Sequence, residues 1–224
     1  CASRLISIPT GLGTTAGVVL AWLWNRVALG KEDWPRRLVY CLPMRTLVEQ
    51  TAAEVEKWLG NLSSAGKESL ASPDLLWLGD HSPVILMGGE ENDPLRREWD
   101  IHPEKPAILI GTQDMLLSRA LNRGYGMARA RWPMHFALLN NDALWVMDET
   151  QLMDVGLATS AQLQAFRNDD QQRIFHAAST WWMSATLQPD WLKPPETAQY
   201  LPALKDTILE TSAIDRFGRL WEDV

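Results

Sequence analysis

The sequence predicts an α/β domain built on a mostly parallel sheet with helices on both faces. Three observations support this fold class. Short runs that are apolar on both strand faces recur along the chain, segments of helical period separate them, and Gly or Pro residues end several of them. Strands of this kind, alternating with helices, are typical of a parallel sheet that is covered on both sides. A chain of 224 residues is long enough for one such domain with a buried core.

Each element is assigned from its own pattern. Six apolar runs are expected to be strands, at residues 4–8, 38–42, 84–87, 107–110, 144–147 and 180–183. Helical periodicity predicts helices over residues 15–28, 45–59, 113–121 and 156–166. Two polar stretches, residues 62–73 and 90–106, are expected to be irregular surface insertions. After residue 187 closely spaced prolines indicate a linker, with a short helix near residues 204–221. We therefore expect a domain over residues 1–189 and the start of a connection over residues 190–224.

The composition is that of an ordinary globular protein. Hydrophobic residues make up 46% and charged residues 22%, and 21 Lys+Arg against 28 Asp+Glu give a net charge of −7. These values exclude a disordered tail or a collagen-like fibre, and they argue against a protein that binds nucleic acid through bulk charge alone. Two cysteines cannot make a disulfide framework, and no apolar run approaches the roughly 20 residues of a membrane span. We expect a cytoplasmic fragment of a longer protein, with no membrane partner, in which most of the 12 tryptophans pack in the core.

A glycine-rich turn follows the first predicted strand. Its sequence is Pro9-Thr10-Gly11-Leu12-Gly13-Thr14-Thr15. Glycines allow the tight turn in which backbone amides and a helix N-terminus surround phosphate groups, and Thr15 supplies the hydroxyl that would hold Mg²⁺. A complete phosphate-binding loop has Lys directly before that hydroxyl, whereas this chain has Thr14. Alone, a glycine-rich turn between a strand and a helix is more often only a turn.

Two adjacent acids, Asp148 and Glu149, end the fifth predicted strand. Because the carboxyl ends of parallel strands meet at one edge of a sheet, both acids are expected near the glycine-rich loop. In that position Asp148 would hold Mg²⁺ through water, and Glu149 would orient or deprotonate an attacking water. The alternative is a solvated strand end, where acids are common.

Together with Ser184-Ala185-Thr186 after the sixth strand, these motifs resemble those of superfamily 2 helicases of the DEAD/DExH type. The match covers roughly residues 4–187 and implies a RecA-like P-loop NTPase domain. Within that superfamily, the chain is most similar to the CRISPR-associated helicase–nuclease of type I systems. The stretches that carry this likeness are PTGLGTT, LPMRTLVEQTA, LMGG, GTQDMLLSRALNRGYG, DETQLMD and MSATL.

The resemblance implies ATP and Mg²⁺ as cofactors and single-stranded DNA as a partner. It also implies a second RecA-like domain, a nuclease domain and a CRISPR surveillance complex as partners. The residues that would bind the ATP phosphates are Thr10, Gly11, Leu12, Gly13, Thr14 and Thr15, with Asp148 and Glu149 as the magnesium and hydrolysis acids. Those that would contact the DNA backbone are Pro43, Arg45, Thr46, Gly88, Gly89, Thr112 and Gln113. Ser184 and Thr186 would couple the nucleotide state to DNA binding. Without the resemblance, Arg45 would be interpreted as a surface charge and Thr112 as an ordinary helix N-cap.

Residues 115–141 carry four arginines and no acid, in a chain of net charge −7. The arginines are Arg119, Arg123, Arg129 and Arg131, and the first three are expected to be further nucleic-acid contacts. Tyr125 and Trp132 in the same segment could stack on bases, as aromatic side chains do in single-strand binders. The alternative is a solvated surface formed by a helix and a loop.

Three functions remain open from the sequence. The first is the ATP-binding domain of a CRISPR-associated DNA helicase that acts in antiviral defence. The second is another superfamily 2 DNA or RNA helicase, and the third is a non-hydrolysing RecA domain that binds nucleic acid or protein. Thr14 favours the third, since losing a charge-assisted phosphate contact should weaken ATP binding by about a hundredfold. Asp148 and Glu149 argue against it, and Gln151, where many relatives have His, is expected to be tolerated.

Overall fold

The computed structural model describes residues 2–7, 13–68, 72–88, 95–169, 176–186 and 208–210. Seven strands in these ranges form one sheet in the order β3-β4-β2-β5-β6-β1-β7, and every neighbouring pair is parallel. The strands are β1 (Arg4–Ser7), β2 (Arg37–Leu42), β3 (Val84–Leu86), β4 (Ala107–Thr112), β5 (Ala143–Met147), β6 (Ser179–Ser184) and β7 (Ile208–Glu210). The predicted parallel α/β fold and its six strands are confirmed, with strand ends within two residues of those expected.

Six α-helices lie in the same described ranges. They are α1 (Thr14–Trp22), α2 (Arg45–Glu68), α3 (Pro73–His81), α4 (Gln113–Ala120), α5 (Trp132–Asn140) and α6 (Val155–Asp169). A π-helical segment, Leu23–Ala28, continues α1, and 3₁₀ turns occupy Leu95–Asp100, Arg129–Arg131 and Thr150–Leu152. Among the described residues, no helix combines the length and the apolar character required to cross a bilayer.

Two sequence predictions about secondary structure are wrong, and two helices were not expected. The described part of residues 62–73 is not irregular, because α2 continues to Glu68 and α3 begins at Pro73, where the Ser72 hydroxyl caps the helix by accepting from the Leu75 amide at 3.2 Å. Helices α3 and α5 were not expected. Residues 208–210, placed in a terminal helix by the sequence, form a strand beside β1. The polar end of α2 lacks apolar periodicity, and β7 depends on a distant pairing, so neither pattern was visible locally.

The alternation of side chains along the strands gives the sheet two separate cores. On β2, Leu38, Tyr40 and Leu42 pack with residues of α1, α2 and α3. Val39 and Cys41 point to the other face and pack with residues of α4, α5 and α6. Successive side chains of a strand point to opposite faces, so a strand buried on both sides must be apolar throughout.

Tryptophans fill much of both cores. Trp22, Trp145 and Trp182 are fully buried, and each indole N–H donates to an oxygen 2.8–2.9 Å away. A buried indole needs such a partner for its single donor. Trp99, which the sequence placed in a loop, is also buried, because the 3₁₀ turn that carries it packs against the sheet. The expected packing role is confirmed for these residues.

The side chain of Arg37 is buried, although a charged residue is seldom buried without partners. Its Nε, Nη1 and Nη2 donate to the carbonyls of Leu138, Pro103 and Asn141, each at 3.0 Å. Burial lowers the pKa of the Arg37 guanidinium to about 10, so the group is still charged at neutral pH. Arg37 therefore ties the carboxyl end of α5 to the loop before β4.

Replacing Arg37 by Met should destabilise the domain by about 3 kcal/mol, because three buried carbonyls lose their donor. The matched control is Arg36→Met, which removes a partly exposed ion pair with Asp142 (3.6 Å) and should cost below about 1 kcal/mol. Urea unfolding with an unchanged m-value would measure both. Equal midpoints for the two variants would contradict this role for Arg37.

Candidate nucleotide site and nucleic-acid edge

The carboxyl ends of the strands divide one edge of the sheet into two halves. Strands β5, β6 and β1 are neighbours, and the predicted nucleotide and coupling residues follow or end them. Strands β3, β4 and β2 form the other half, and the residues predicted to contact nucleic acid follow or end these. Ligands of open parallel sheets bind at this edge. The strand order therefore brings each group of predicted site residues together.

Helix α1 begins directly after Gly13, whose backbone is left-handed (φ 71°, ψ 33°). A glycine adopts this conformation without the steric cost of a Cβ atom. The first turn carries Thr14 and Thr15, has no acidic residue and has no side-chain cap, so its amides can receive an anion. Thr10, Gly11 and Leu12, predicted to bind phosphates, lie outside the described residues.

Asp148 is brought beside this turn by the pairing of β5 with β2. Its amide donates to the Cys41 carbonyl at 3.1 Å, and its Oδ1 accepts from the Glu149 amide at 2.9 Å. Its Oδ2 accepts a 2.6 Å hydrogen bond from the Tyr40 hydroxyl. A further hydrogen bond, 3.2 Å long, joins the Tyr40 and Thr15 hydroxyls. The two predicted magnesium ligands, Thr15 and Asp148, are thus connected through one tyrosine.

The Asp148 carboxyl lies in a place that disfavours its charge. Burial raises its pKa, the neighbouring charge of Glu149 raises it further, and the hydrogen bonds from Tyr40 and the Glu149 amide offset only part of this rise. Among the described residues no Lys, Arg or His forms an ion pair with Asp148. A carboxylate and a hydroxyl are the oxygen ligands that Mg²⁺ prefers. The residues present therefore fit a magnesium ion, which would supply the missing positive charge.

Glu149 has a strained backbone and a fixed side chain. Its φ of 56° and ψ of 45° are left-handed, a conformation that costs a non-glycine residue about 1 kcal/mol. Its Oε2 accepts from Nε2 of Gln151, and Oε1 of Gln151 accepts from the Ser184 hydroxyl at 2.7 Å. The Thr186 amide donates to the same hydroxyl at 3.1 Å. Strain of this kind is concentrated at functional sites.

Gln151 links two predicted site residues, a role that the sequence did not predict. It lies between Glu149, the predicted hydrolysis acid, and Ser184, the predicted coupling residue. Like the His of many relatives it offers an N–H donor, but its amide also offers a carbonyl acceptor. The only sequence signal was its place two residues after Glu149.

The other half of the edge holds the residues predicted to contact nucleic acid, in different environments. Arg45 and Thr46 are exposed in the first turn of α2, and Gly88 is exposed after β3. Thr112 is buried, and its hydroxyl has no partner among the described residues. Pro43 is half-buried, and Gly89 lies outside the described residues. Arg45 and Thr46 are thus accessible side chains next to a helix N-terminus, where phosphates bind well.

Gln113 packs against the start of α6. A Cβ atom added at Gly156 would lie 2.0 Å from Gln113 Oε1, so a larger residue at that position would push the end of the Gln113 side chain aside. The same Oε1 atom is buried without a partner in the described part of the chain. The Gln113 side chain is therefore held between two helices as well as near the strand ends.

The arginines that follow Gln113 in sequence do not lie beside it. Helix α4 leads away from the edge for about 12 Å, and the carbonyl of its last residue, Ala120, accepts from the Asn140 side chain near the start of β5. Arg119 is buried, and its terminal nitrogens donate to the carbonyls of Met115 (2.9 Å) and Tyr125 (3.4 Å). The expectation that Arg119 contacts nucleic acid is wrong for this structure, because these bonds and its burial remove it from solvent.

Arg123 and Arg129 are exposed, in the segment that connects α4 to α5. Tyr125, with an exposed fraction of 64%, lies between them in sequence, and the Arg129 guanidinium stands 5.8 Å from the ring centre of Trp132. These side chains line an open cavity of about 600 Å³.

Residues 2–193 match the family model of the DEAD/DEAH box helicases. The chain belongs to the DEAD/DEAH box helicase family. No curated protein sequence matches this helicase domain. Its fold is similar to that of the DUF1998 helicase MrfA in a crystal structure bound to DNA and AMPPNP, with a TM-score of 0.56, 17% identity and coverage of 94% of this chain and 25% of that chain. It is also similar to the DEAD-box helicase Mss116 bound to ssRNA and UDP-BeF, with a TM-score of 0.51, 17% identity and coverage of 90% and 34%.

At these identities the likeness shows the fold alone, and the expected RecA-like architecture is confirmed. The helicase domain spans about a quarter to a third of the length of these solved helicases.

Replacing Asp148 by Asn should stabilise the domain at neutral pH when no cation is bound, by about 1 kcal/mol or roughly 3 °C in Tm. The folded-state pKa of Asp148 is raised, so the native state binds more protons than the unfolded state and wild-type stability falls as pH rises through that pKa. The difference between variant and wild type should therefore be largest near pH 7 and should close as pH falls towards the ordinary carboxyl pKa.

Thermal unfolding of both proteins between about pH 4 and pH 8 measures this difference. The control is Asp154→Asn, at an exposed residue with a left-handed backbone (φ 42°) that Asn also accepts. If Asp148→Asn is less stable than wild type at every pH, the buried charge of Asp148 does not destabilise the fold.

Proposed function

We propose that this chain is the first RecA-like domain of an ATP-dependent helicase that moves along single-stranded DNA, with ATP and Mg²⁺ as cofactors. One observation carries the proposal. The Thr15 hydroxyl and the Asp148 carboxylate come from distant parts of the chain, and both form a hydrogen bond with the Tyr40 hydroxyl. They lie beside the start of α1, which has no side-chain cap. Membership of the DEAD/DEAH box helicase family supports the same conclusion.

In this proposal each residue at the nucleotide half of the edge has one task. The amides of the first turn of α1 and the hydroxyl of Thr14 bind phosphate oxygens, and Thr15 and Asp148 hold the magnesium ion. Bound Mg²⁺ supplies positive charge that stabilises the charge developing on the transferred phosphoryl group. Glu149 orients a water molecule and accepts its proton. Gln151 holds one oxygen of the Glu149 carboxylate, which fixes the direction of the other oxygen.

Coupling to nucleic acid follows from the same hydrogen-bond chain. Ser184 holds Gln151, and the Thr186 amide holds Ser184, so a shift of the loop after β6 alters the position of the Glu149 carboxylate. A partner that reorders this loop would therefore change the rate of hydrolysis without touching the nucleotide. We assign Ser184 and Thr186 this coupling task.

The nucleic-acid half of the edge supplies phosphate contacts. Arg45 offers a charged donor and Thr46 a hydroxyl, both exposed at the N-terminus of α2, and Gly88 offers accessible backbone after β3, in the same half of the edge. Pro43, Gly89, Thr112 and Gln113 complete the set that the sequence motifs favour. Contacts of this type position a strand without reading its bases.

The finer assignment is to a CRISPR-associated helicase–nuclease of type I systems, acting in antiviral defence in the cytoplasm. It rests on the motif stretches of the sequence, such as LPMRTLVEQTA and DETQLMD. In such a protein, residues 1–189 form the domain and residues 190–224 lead towards a second RecA-like domain and a nuclease domain. The second RecA-like domain would close the nucleotide cleft, so this chain alone would hydrolyse ATP weakly. A CRISPR surveillance complex would deliver the DNA.

A second candidate is a non-hydrolysing module that binds nucleic acid or protein. Thr14 favours it, because the chain has no Lys at the position that reaches the terminal phosphates. The intact pair of Asp148 and Glu149, with Glu149 held by Gln151, favours hydrolysis. Nucleotide binding separates the two candidates.

Replacing Thr14 by Lys should raise the affinity for a fluorescent ATP analogue with Mg²⁺ by about a hundredfold, because it restores a charge-assisted phosphate contact. Thr14→Met, of similar length but without charge, is the matched control and should bind like the parent chain. Fluorescence titration measures all three. If the Lys variant gains nothing over the Met variant, the assignment of the phosphate loop is wrong. If the parent chain already binds as tightly as the Lys variant, the loss inferred from Thr14 is wrong.

Replacing Arg45 by Ala should weaken binding of oligo-dT and reduce the salt slope of log K by about 1, as expected for one lost phosphate contact. The double variant Arg123→Ala/Arg129→Ala should flatten the slope further if the strand also crosses the cavity lined by Tyr125. Lys57→Ala, exposed on α2 away from its start, is the control. An unchanged slope in the double variant would assign Arg123 and Arg129 to a solvated surface.

A further inference from the structure

Gly156 is in contact with a residue from the nucleic-acid half of the sheet edge. It is the second residue of α6, the helix that follows the two acids, and its amide donates to the Met153 carbonyl at 2.9 Å. Opposite it lies Gln113, the first residue of α4, which directly follows β4. The side chain of Gln113 therefore reaches from the end of β4 to the first turn of α6.

The backbone at Gly156 does not require glycine. Among the described glycines, positive φ angles occur at Gly13, Gly30 and Gly126, so the conformation of Gly156 is one that alanine also adopts. Within a helix, alanine is more favourable than glycine. The reason for glycine at this position is therefore found in the side chain that it meets.

The amide of Gln113 fills the space beside the Cα atom of Gly156. A Cβ atom would stand 2.0 Å from Gln113 Oε1 and 2.9 Å from Cδ, which is closer than non-bonded atoms approach. In glycine a Cα–H bond points in the direction of the missing Cβ, so this hydrogen faces Oε1 within the range of a Cα–H···O contact. An alanine here would push the Gln113 amide out of its place.

This contact decides which end of the Gln113 amide faces the protein. The oxygen accepts, whereas the nitrogen carries two hydrogens, one of which would collide with the Cα hydrogen of Gly156. Oε1 is enclosed and has no hydrogen-bond partner in the described part of the chain, while Gln113 as a whole is half-buried. The Nε2 group is therefore the end of the side chain that faces solvent, and it can only donate.

We propose that Gly156 is a positioning residue for nucleic-acid binding: it leaves room for Gln113 Oε1 and so holds the amide with its N–H donors towards the sugar–phosphate backbone of the bound strand. The proposal rests on the proposed function, since it takes Gln113 as a nucleic-acid contact. A side chain that is fixed before binding loses less conformational entropy when the strand binds. Gly156 thus raises the affinity for the strand without touching it.

The variant Gly156→Ala tests this role in the whole chain, with oligo-dT as the probe. The added methyl group should displace the amide and lower the affinity about fivefold, as loss of one neutral hydrogen bond would. Because Gln113 carries no charge, its contact releases no counterion, and the salt slope of log K should stay unchanged. Gly60→Ala, at an exposed helical glycine with open space beside its Cα atom, is the matched control and should bind like wild type.

A double-variant cycle separates positioning from a general defect of the fold. Gln113→Ala should lower the affinity for oligo-dT by the same factor as Gly156→Ala. In the Gln113→Ala background, Gly156→Ala should cause no further loss, because no amide is left to displace. If Gly156→Ala lowers the affinity equally in both backgrounds, or does not lower it in wild type, the positioning role is overturned.

A measurement on the unaltered chain does not depend on how the variants fold. The side-chain amide of Gln113 gives a pair of ¹⁵N–¹H resonances, which their loss in Gln113→Ala identifies. Both should shift on titration with oligo-dT, at the concentrations at which the strand binds. Resonances that stay in place while the strand binds would overturn the proposal.

Arg45→Ala distinguishes failure of this proposal from failure of the proposed function. If Arg45→Ala weakens binding of oligo-dT while Gln113→Ala and Gly156→Ala bind like wild type, the nucleic-acid edge stands and the role of Gly156 is overturned. If the chain does not bind oligo-dT saturably, or if none of the three variants weakens its binding, the proposed nucleic-acid edge and the role of Gly156 are both overturned.

Discussion

The candidate site depends on the pairing of β2 with β5. These strands run in parallel with Cys41 opposite Met147, and one further hydrogen bond, from the Asp148 amide to the Cys41 carbonyl, continues the pairing beyond the strand end. That bond places the Asp148 side chain against Tyr40. Because side chains alternate along a strand, a slip of one residue would turn Tyr40 to the opposite face of the sheet and separate it from α1. The two apolar cores prevent such a slip, since it would expose Leu38 and Leu42 to the wrong helices.

At the same edge, the two acids Asp148 and Glu149 are held in environments that destabilise the fold. Asp148 is half-buried without a cation, and Glu149 adopts a left-handed backbone that a side chain resists. Hydrogen bonds from Tyr40 and Gln151 hold both acids in place, so the strain does not relax in the absence of a ligand. Sites that must receive a cation and activate water are often less stable than the sequence could make them. In this domain the two acids accept hydrogen bonds from the neutral side chains of Tyr40 and Gln151. Their negative charge is therefore not neutralised within the described residues, and a cation could neutralise it.

Strand β2 is the boundary between the two halves of the edge. On one side it pairs with β5, which leads to Asp148, and on the other with β4, which leads to Thr112. Its own end leads to Arg45 at the start of α2, while Tyr40 from its centre reaches the nucleotide half. Strand β2 therefore contributes residues to both halves, whereas the hydrogen bonds from Ser184 through Gln151 to Glu149 lie within the nucleotide half.

The sequence by itself determined the parallel sheet, its six strands, the placement of Asp148 and Ser184 at strand ends and that of Thr15 at the start of the first helix, because apolar runs and turn residues are local patterns. It could not place residues whose environment is set by distant contacts. Tyr40 and Arg37 lie in the same strand, yet the hydroxyl of Tyr40 reaches Asp148, whereas the guanidinium of Arg37 donates to two carbonyls at the end of α5 and to one in the loop before β4. Arg119 follows the Thr112 motif in sequence, but a helix carries it into the protein. Only the tertiary structure decided these positions, because burial and hydrogen bonding depend on which elements meet. No local periodicity of the sequence specifies the order of the strands in the sheet.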